Sequence, residues 1–412
     1  MAHQVLSTRD RAGGRGMRPA RAALATAVAA STLLLAACGG AVKESAEGAS
    51  EDTLKIGLIA PTTGPVVPEG TALQRGFELG IERINDDGGV LGKPVEFVKV
   101  DDEANVSKST QLAQRLINQD HVDFLFGTIP GDTAGAVAKV SDEAKVPFAT
   151  AIMGDAPFCG DYFFPFGEPD QTMLEGIVPR MLEQYGPNVA LVGNDYVFPR
   201  GYNAKARAMI EKAGGKVVME EYSPLGTTDW QPVVGKIAGA KPDWILSAVV
   251  GGDAVALVTQ ADQAGVLKDT GFTGISLIQE FYPSLTTKTE GMVLSGRYSD
   301  QLENAANADF VKKYRDSYDF QDPIPSVAAN AYEGVQAIAR AVNEAGSTDA
   351  DAVSKALAQT TVEDGVFGKG HFTDDHRFVT EMYNFEIQPG GAYLPIEDLG
   401  AMDTLPPNAA CS

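Results

Sequence analysis

From Leu54 onward, short runs of consecutive apolar residues alternate with longer stretches whose apolar residues return every three or four positions. Leu54–Ala60 (LKIGLIA) is short and uniformly apolar, which predicts a buried strand. Over Thr71–Asn85, Leu73, Phe77, Ile81 and Ile84 fall on one helical face, and Gly88-Gly89 ends the pattern. The same reading predicts strand Val95–Val100, helix Ser107–Asn118, strand Asp123–Gly127, helix Asp132–Ala144 and strand Pro147–Thr150. Repeated strand–helix–strand units of this kind build a parallel sheet with helices on both faces, an α/β class.

A loop with Pro and aromatic residues, Ala156–Gly167, interrupts the rhythm. It resumes with helix Gln171–Tyr185, strand Asn188–Val192, helix Pro199–Ala213, strand Lys216–Tyr222, helix Trp230–Ala238, strand Trp244–Val249, helix Asp253–Ala264 and strand Gly274–Ile278. After strand Met292–Arg297 come helices Ala306–Tyr318, Ser326–Ala345 and Ala350–Gln359, then a hairpin-like pair, Gly368–Thr373 and Phe378–Gln388. Two blocks of similar length predict two similar lobes. Lobe one takes 53–166 and 298–365, lobe two takes 167–297 and 366–400, and 401–412 is a C-terminal tail. The late helices return to lobe one because they would otherwise unbalance lobe two. Ligands of open parallel sheets sit at the carboxyl ends of the strands, so two facing lobes predict a cleft that closes on a ligand.

The first fifty residues follow another pattern. Arg15, Arg18 and Arg21 precede an apolar run, Ala22–Ala37, in the charge-then-apolar order of a secretory signal. The run ends in Leu35-Ala36-Ala37-Cys38, which resembles the lipobox of bacterial lipoproteins. That resemblance implies a signal peptide over 1–37, acylation of Cys38 and anchoring to the cell membrane by lipid. An uncut signal anchor is the alternative, but a span needs about 20 apolar residues and this run is shorter. A chain starting at Met17 would already hold a complete signal, so Met17 is the expected start. Residues 38–52 are small, polar and acidic beyond Cys38, which predicts a flexible tether.

Charge narrows the partners. Five of 33 basic and one of 55 acidic residues precede Cys38, leaving 28 and 54, a net charge of −26. This disfavours nucleic acid and an anionic membrane face, both of which reward basic patches. Cys159 and Cys411 are allowed a disulfide outside the cytoplasm, though the sequence leaves their pairing open. His121, His371 and His376 are scattered without metal-ligand spacing, and neither a nucleophile elbow nor a phosphate-binding glycine loop is present. No cofactor, metal site or catalytic residue is expected.

Two stretches carry a resemblance. KIGLIAPTTGPVVPEGTALQRGFELGIERINDDGGVLGKPVEFVKVDDEAN and VGNDYVFPRGYN, followed by KAGGKVVMEEYSPLGTTDWQPVVGKIAGAKPDWILSAVVGG, resemble the extracytoplasmic binding proteins of the branched-chain amino acid (Leu/Ile/Val) family. The nearer likeness is to their urea- and short-chain-amide-binding branch. It covers Leu54 to about Pro395 and implies a type I periplasmic-binding-protein fold, two parallel-sheet lobes joined by three crossovers, serving the permease of an ABC importer.

Site residues follow from that resemblance and the strand-end rule. In Thr128–Thr133 (TIPGDT) a strand ends and a helix starts, so free N–H groups face the cleft. Thr128 is expected to supply a hydroxyl to the ligand head, with Thr150 and Ala151 beside it, while Ile129 and Gly131 stand where the amide branch has an aromatic and a Ser. Asp132 reads as a helix N-cap and Thr133 as a first-turn residue. Tyr196 and Phe198 are placed against the ligand, Gly251 allows close backbone approach, and Asp253 reads as a cap. Glu280 is expected to hold an ammonium. The function implied is an importer's substrate-binding protein closing on an amino acid or an amide- or urea-like solute. The alternatives are a ligand-sensing receptor on the same fold and an extracytoplasmic hydrolase, for which no nucleophile–base pair is visible.

Overall fold

A computed structural model describes residues 53–155, 158–402, 405–406 and 409–411. The signal peptide over 1–37, the lipid-bearing Cys38 and the tether to residue 52 lie outside the described residues. The first block forms β1 (Lys55–Ile59), α1 (Val67–Asp86), β2 (Glu96–Val100), α2 (Val106–Asn118), β3 (Phe124–Gly127), α3 (Gly131–Ala144), β4 (Phe148–Thr150) and β5 (Phe163–Pro165). They make one parallel sheet in the order β2-β1-β3-β4-β5. Ile56, Leu58 and Ile59 of β1 are fully buried, as a central strand covered on both faces requires. β5 lies inside the stretch expected to be loop; three residues are too few to show periodicity.

The second block forms α4 (Asp170–Tyr185), β6 (Asn188–Asn194), α5 (Val197–Lys212), β7 (Lys216–Ser223), α6 (Gln231–Ala240), β8 (Trp244–Ala248), α7 (Gly251–Gln263) and β9 (Gly271–Gly274), a parallel sheet in the order β7-β6-β8-β9. The strand expected over Gly274–Ile278 ends at Gly274 instead. There the backbone turns at φ +112°, and a Cβ would stand 2.3 Å from the Ser247 carbonyl oxygen. Ile275–Leu277 is a 3-10 turn.

Next come the single-turn α8 (Tyr282–Leu285), β10 (Val293–Gly296), α9 (Ala305–Tyr318), α10 (Ser326–Ala345), α11 (Ala350–Leu357), β11 (Thr361–Gly365), β12 (Gly368–Phe372), β13 (Phe378–Ile387) and β14 (Tyr393–Ala401). The last four strands and β10 form an antiparallel sheet, β10-β13-β12-β11, with β14 on β13. Two of these strands escaped the sequence reading. β14 is mostly solvent-exposed and interrupted by Pro395 at a register shift, so it shows no apolar alternation. β11 has two buried positions among five. Cys159 and Cys411 form a disulfide with Cα atoms 5.0 Å apart, tying the C-terminal turn Ala409–Cys411 to the stretch before β5.

Helix α10 returns to the first sheet and packs on α1 at backbone distance. A Cβ on Gly76 would meet the Ala328 carbonyl oxygen at 2.0 Å, and one on Gly80 the Val335 Cγ1 at 2.3 Å. Fifteen of its twenty residues are buried, including Val327, Val335, Ile338 and Val342. Gly76→Ala is therefore expected to destabilise by about 2 kcal/mol through overpacking. Gly235 stands inside α6 with nothing within 4 Å of an added Cβ. There Gly235→Ala should stabilise by about 0.5–1 kcal/mol through helix propensity. Urea unfolding of the two variants should move in opposite directions.

Candidate functional site

The carboxyl ends of strands from both parallel sheets converge on a cavity of about 230 Å³. From the first sheet's side come Val66 and Glu69 at the start of α1, Ile129–Gly131 at the start of α3, and Thr150 at the end of β4. From the second come Tyr196, Val197 and Phe198 at the start of α5, Val250 before α7, and Ile275 and Ile278 after β9. The turn held by Cys411 adds Ala410. Most of the wall is apolar. Its polar side chains are Glu69, Thr150, Asp155, Asp170 and Lys205, with the Tyr196 hydroxyl.

Five of the nine expected ligand residues, Ile129, Gly131, Thr150, Tyr196 and Phe198, stand on this wall. The other four do not line it. The Thr128 side chain is fully buried, and its hydroxyl donates to Asp102 Oδ2 at 2.5 Å, so it has no hydroxyl proton left for a ligand. Ala151 is buried, with its carbonyl accepting from Asn330 Nδ2 at 3.1 Å. Gly251 supports the wall from behind. Its φ is +60°, a Cβ would stand 2.5 Å from the Pro65 carbonyl oxygen, and its N–H donates to Glu69 Oε1 at 3.2 Å. Glu280 points to another partner. Its Oε1 accepts from the Val327 N–H at 3.2 Å, at the start of α10.

Two capping roles are also corrected. Helix α3 has Pro130 at its N-cap, and Asp132 sits in the first turn without a side-chain capping bond. Asp253 accepts from Asn194 Nδ2 at 2.7 Å and from the N–H groups of Gly226 and Thr227 at 2.9 and 3.0 Å, so it pins the β7–α6 loop. Thr133 behaves as a first-turn residue, its hydroxyl donating to the Pro130 carbonyl at 2.6 Å.

The sequence reading missed the cavity's charged groups. Glu69 is 2% exposed, and burial pushes its carboxyl up to about 7, against the Gly251 N–H. Asp170, equally buried, is pushed up to about 6 by burial and by the charge of Asp155, against Lys205. Lys205 Nζ bridges Asp155 and Asp170 at 2.5 and 2.9 Å. Burial disfavours its charge, but the two carboxylates outweigh that and raise it. The strand-end rule applied to the loop after β1 would have reached Glu69. Lys205 lies two turns inside α5, where no sequence signal separates a cavity face from a solvent face.

Glu280 has the largest carboxyl shift on this side of the fold, up to about 8, caused by burial and opposed by the Val327 N–H. Glu69 and Glu168 face it, and both charges push the same way. A raised folded value means that the native state keeps a proton the unfolded chain releases above about 4.5. Its stabilising share is thus present at low pH and lost as pH rises through about 8. Glu280→Gln mimics the protonated acid. In calorimetry at pH 5 and pH 9, its melting temperature relative to the unchanged protein is expected to rise with pH.

Sequence and structure comparisons agree with this architecture. Residues 53–392 match the periplasmic binding protein family. The chain is 27% identical over 320 residues to the leucine-, isoleucine-, valine-, threonine- and alanine-binding protein of Pseudomonas aeruginosa, covering 76% of this chain and 84% of that one. It is 24% identical over 364 residues to Leu/Ile/Val-binding protein homolog 7 of Brucella abortus, covering 82% and 88%. Among solved structures, the branched-chain amino acid transporter substrate-binding protein LivJ of Streptococcus pneumoniae, in complex with isoleucine, superposes with a TM-score of 0.75 at 26% identity, covering 85% of this chain and all of that one. A solute-binding protein of an ABC transporter from Rhodopseudomonas palustris, in complex with 3,4-dihydroxybenzoic acid, gives 0.79 at 23%, covering 88% and 100%, a likeness of fold alone. None of these singles out the urea and amide branch. Such proteins bind small-molecule solutes outside the cytoplasm and work with ABC transporter permeases. In sequence and in its type I fold, this chain belongs to the periplasmic binding protein family.

Proposed function

We propose that this chain is the lipid-anchored solute receptor of an ABC importer. The signal over 1–37 is removed, Cys38 carries the lipid, and residues 38–52 tether the folded part near its permease. The observation that supports this reading is the cavity itself, walled by helix starts from both parallel sheets with little polar surface. Sites at the carboxyl ends of parallel strands are where such sheets bind ligands, and lobes hinged about a cleft close on them without covalent chemistry. Domain boundaries at about residues 166, 297 and 365 give that hinge three crossings. The apolar wall formed by Ile129, Pro130, Val250, Ile275 and Ile278 favours a solute with an apolar body and a polar head. An amino acid with a hydrophobic side chain suits it better than urea, which offers no apolar surface. Ile129 and Thr150 flank the helix start at Gly131, and Tyr196 and Phe198 close the opposite side.

A thermal-shift screen over amino acids, amides, urea, amines and aromatic acids tests the receptor reading. A ligand that binds only the folded state at a hundred times its Kd stabilises by about 2.7 kcal/mol, which reads as a rise in melting temperature. At least one class should give a saturable rise with the ligand recovered unchanged. A flat screen, or turnover of the ligand, counts against a receptor. The lipid is tested separately: fatty-acid labelling of cells should mark the protein and should vanish in Cys38→Ala. Equal labelling of both forms would remove Cys38 from that role.

A further inference from the structure

The cavity's polar groups are unevenly satisfied. Glu69 Oε1 accepts from the Gly251 N–H, whereas Glu69 Oε2 is buried with no hydrogen-bond partner. Asp170 Oδ2 accepts from Lys205, whereas Asp170 Oδ1 is likewise buried and unpartnered. Both side chains line the cavity. A buried acceptor without a donor costs about 1–3 kcal/mol, and more when charged. A ligand bringing N–H groups removes that cost.

The cavity's ionisable groups are mainly acidic. Three carboxylates line the cavity, from Glu69, Asp155 and Asp170, against the single ammonium of Lys205, which already bridges two of them. The Tyr196 hydroxyl lies in the field of Glu69, Asp132, Asp170 and Asp253, all acidic. The free N–H groups at the start of α3 would ordinarily attract an anion. Here Asp132, in that helix's first turn, offsets them. An anionic head therefore meets repulsion from several sides, and a neutral amide supplies N–H groups without the compensating charge.

We propose that the solute carries a protonated amine on an apolar body, and that Glu69 is the residue that selects it, with Asp170 as the second acceptor. This rests on the solute-receptor reading and deepens it. The class includes simple amines and also apolar amino acids, whose ammonium would have to outweigh the repulsion of their own carboxylate. It excludes carboxylate-only aromatic acids such as the 3,4-dihydroxybenzoic acid and benzoate held by two structural neighbours. The ammonium reaches the unpaired oxygen of Glu69 while the other oxygen keeps its bond to Gly251. One side chain thereby joins the start of α1, the start of α7 and the ligand. Glu280, expected from the resemblance to hold the ammonium, also has one buried oxygen without a partner, but it stands off the cavity wall, with its other oxygen on the α10 helix start.

Calorimetric titration of the full chain with probes sharing one body and differing in the head tests this. 3-Methylbutylamine, L-leucine, 4-methylpentanoate and 4-methylpentanamide form one set, and benzylamine with benzoate a second. In at least one set the amine-bearing probes should bind at least about tenfold tighter than the carboxylate and the amide. Glu69→Gln keeps an acceptor for Gly251 but loses the charge. It should weaken the amine-bearing probes by about tenfold to a hundredfold, the range of a charge-assisted hydrogen bond, and narrow their lead over the carboxylate. A general loss of structure would weaken all probes alike and leave the ratio unchanged, which would sink the role of Glu69. A carboxylate or amide binding as well as its amine, or no probe binding at all, overturns the ligand class. The receptor reading survives that result if the wider screen finds another ligand.

Discussion

Arg297, Glu168 and Asn330 meet where the chain passes between the two parallel sheets, and the geometry of the cleft depends on that meeting. Arg297 is 1% exposed and Glu168 2%, with Nε and Oε2 3.6 Å apart. Asn330 accepts from Arg297 Nε at 3.1 Å and donates to Glu168 Oε2 and to the Ala151 carbonyl, each at 3.1 Å. The guanidinium also lies over the Phe367 ring, 5.0 Å from its centroid. Glu168 follows β5, Arg297 follows β10, and Asn330 belongs to α10, so one polar cluster joins three segments that leave or re-enter the first sheet's side. Taking two charges out of water costs several kcal/mol each, and that cost is offset only if the partners stay in place. The cluster thus ties these three segments together through buried polar contacts.

The cavity obeys the same rule in reverse. At the Arg297 cluster opposite charges face each other, though Arg297 Nη2 is left without a partner; on the cavity wall, two buried carboxylate oxygens are left over. Apolar surroundings keep water from stabilising them and push both carboxyls up. Fixed acceptors in a largely apolar chamber would discriminate by charge, because an unmet charge costs more there than in water. The Gly251–Glu69 hydrogen bond adds a mechanical consequence, since it links elements of the two sheets directly beside the cavity.

Much of this was legible in the chain. The strand–helix rhythm marked all four helices from α4 to α7 within three residues of their starts, and α10 to the residue, because amphipathic stretches of that length leave a clear period. What escaped were short or exposed elements: three-residue β5, half-buried β11 and the edge strand β14. The strand-end rule also put Ile129, Gly131, Thr150, Tyr196 and Phe198 at the cavity. It failed at Thr128, whose position along the chain is right but whose hydroxyl turns to Asp102.

Composition and local pattern determined the α/β class, the two parallel-sheet blocks and the strand ends where a ligand would sit, because those follow from periodicities within one element. Which side chains face the chamber was decided only by the tertiary structure. Glu69 and Asp170 are 101 residues apart in the chain and Cys159 and Cys411 are 252 apart, and the partners Gly251 of Glu69 and Lys205 of Asp170 lie on other elements. Whether a carboxylate ends up paired, like Glu168, or unmet, like Glu69, depends on those partners, and so does what the cleft can hold.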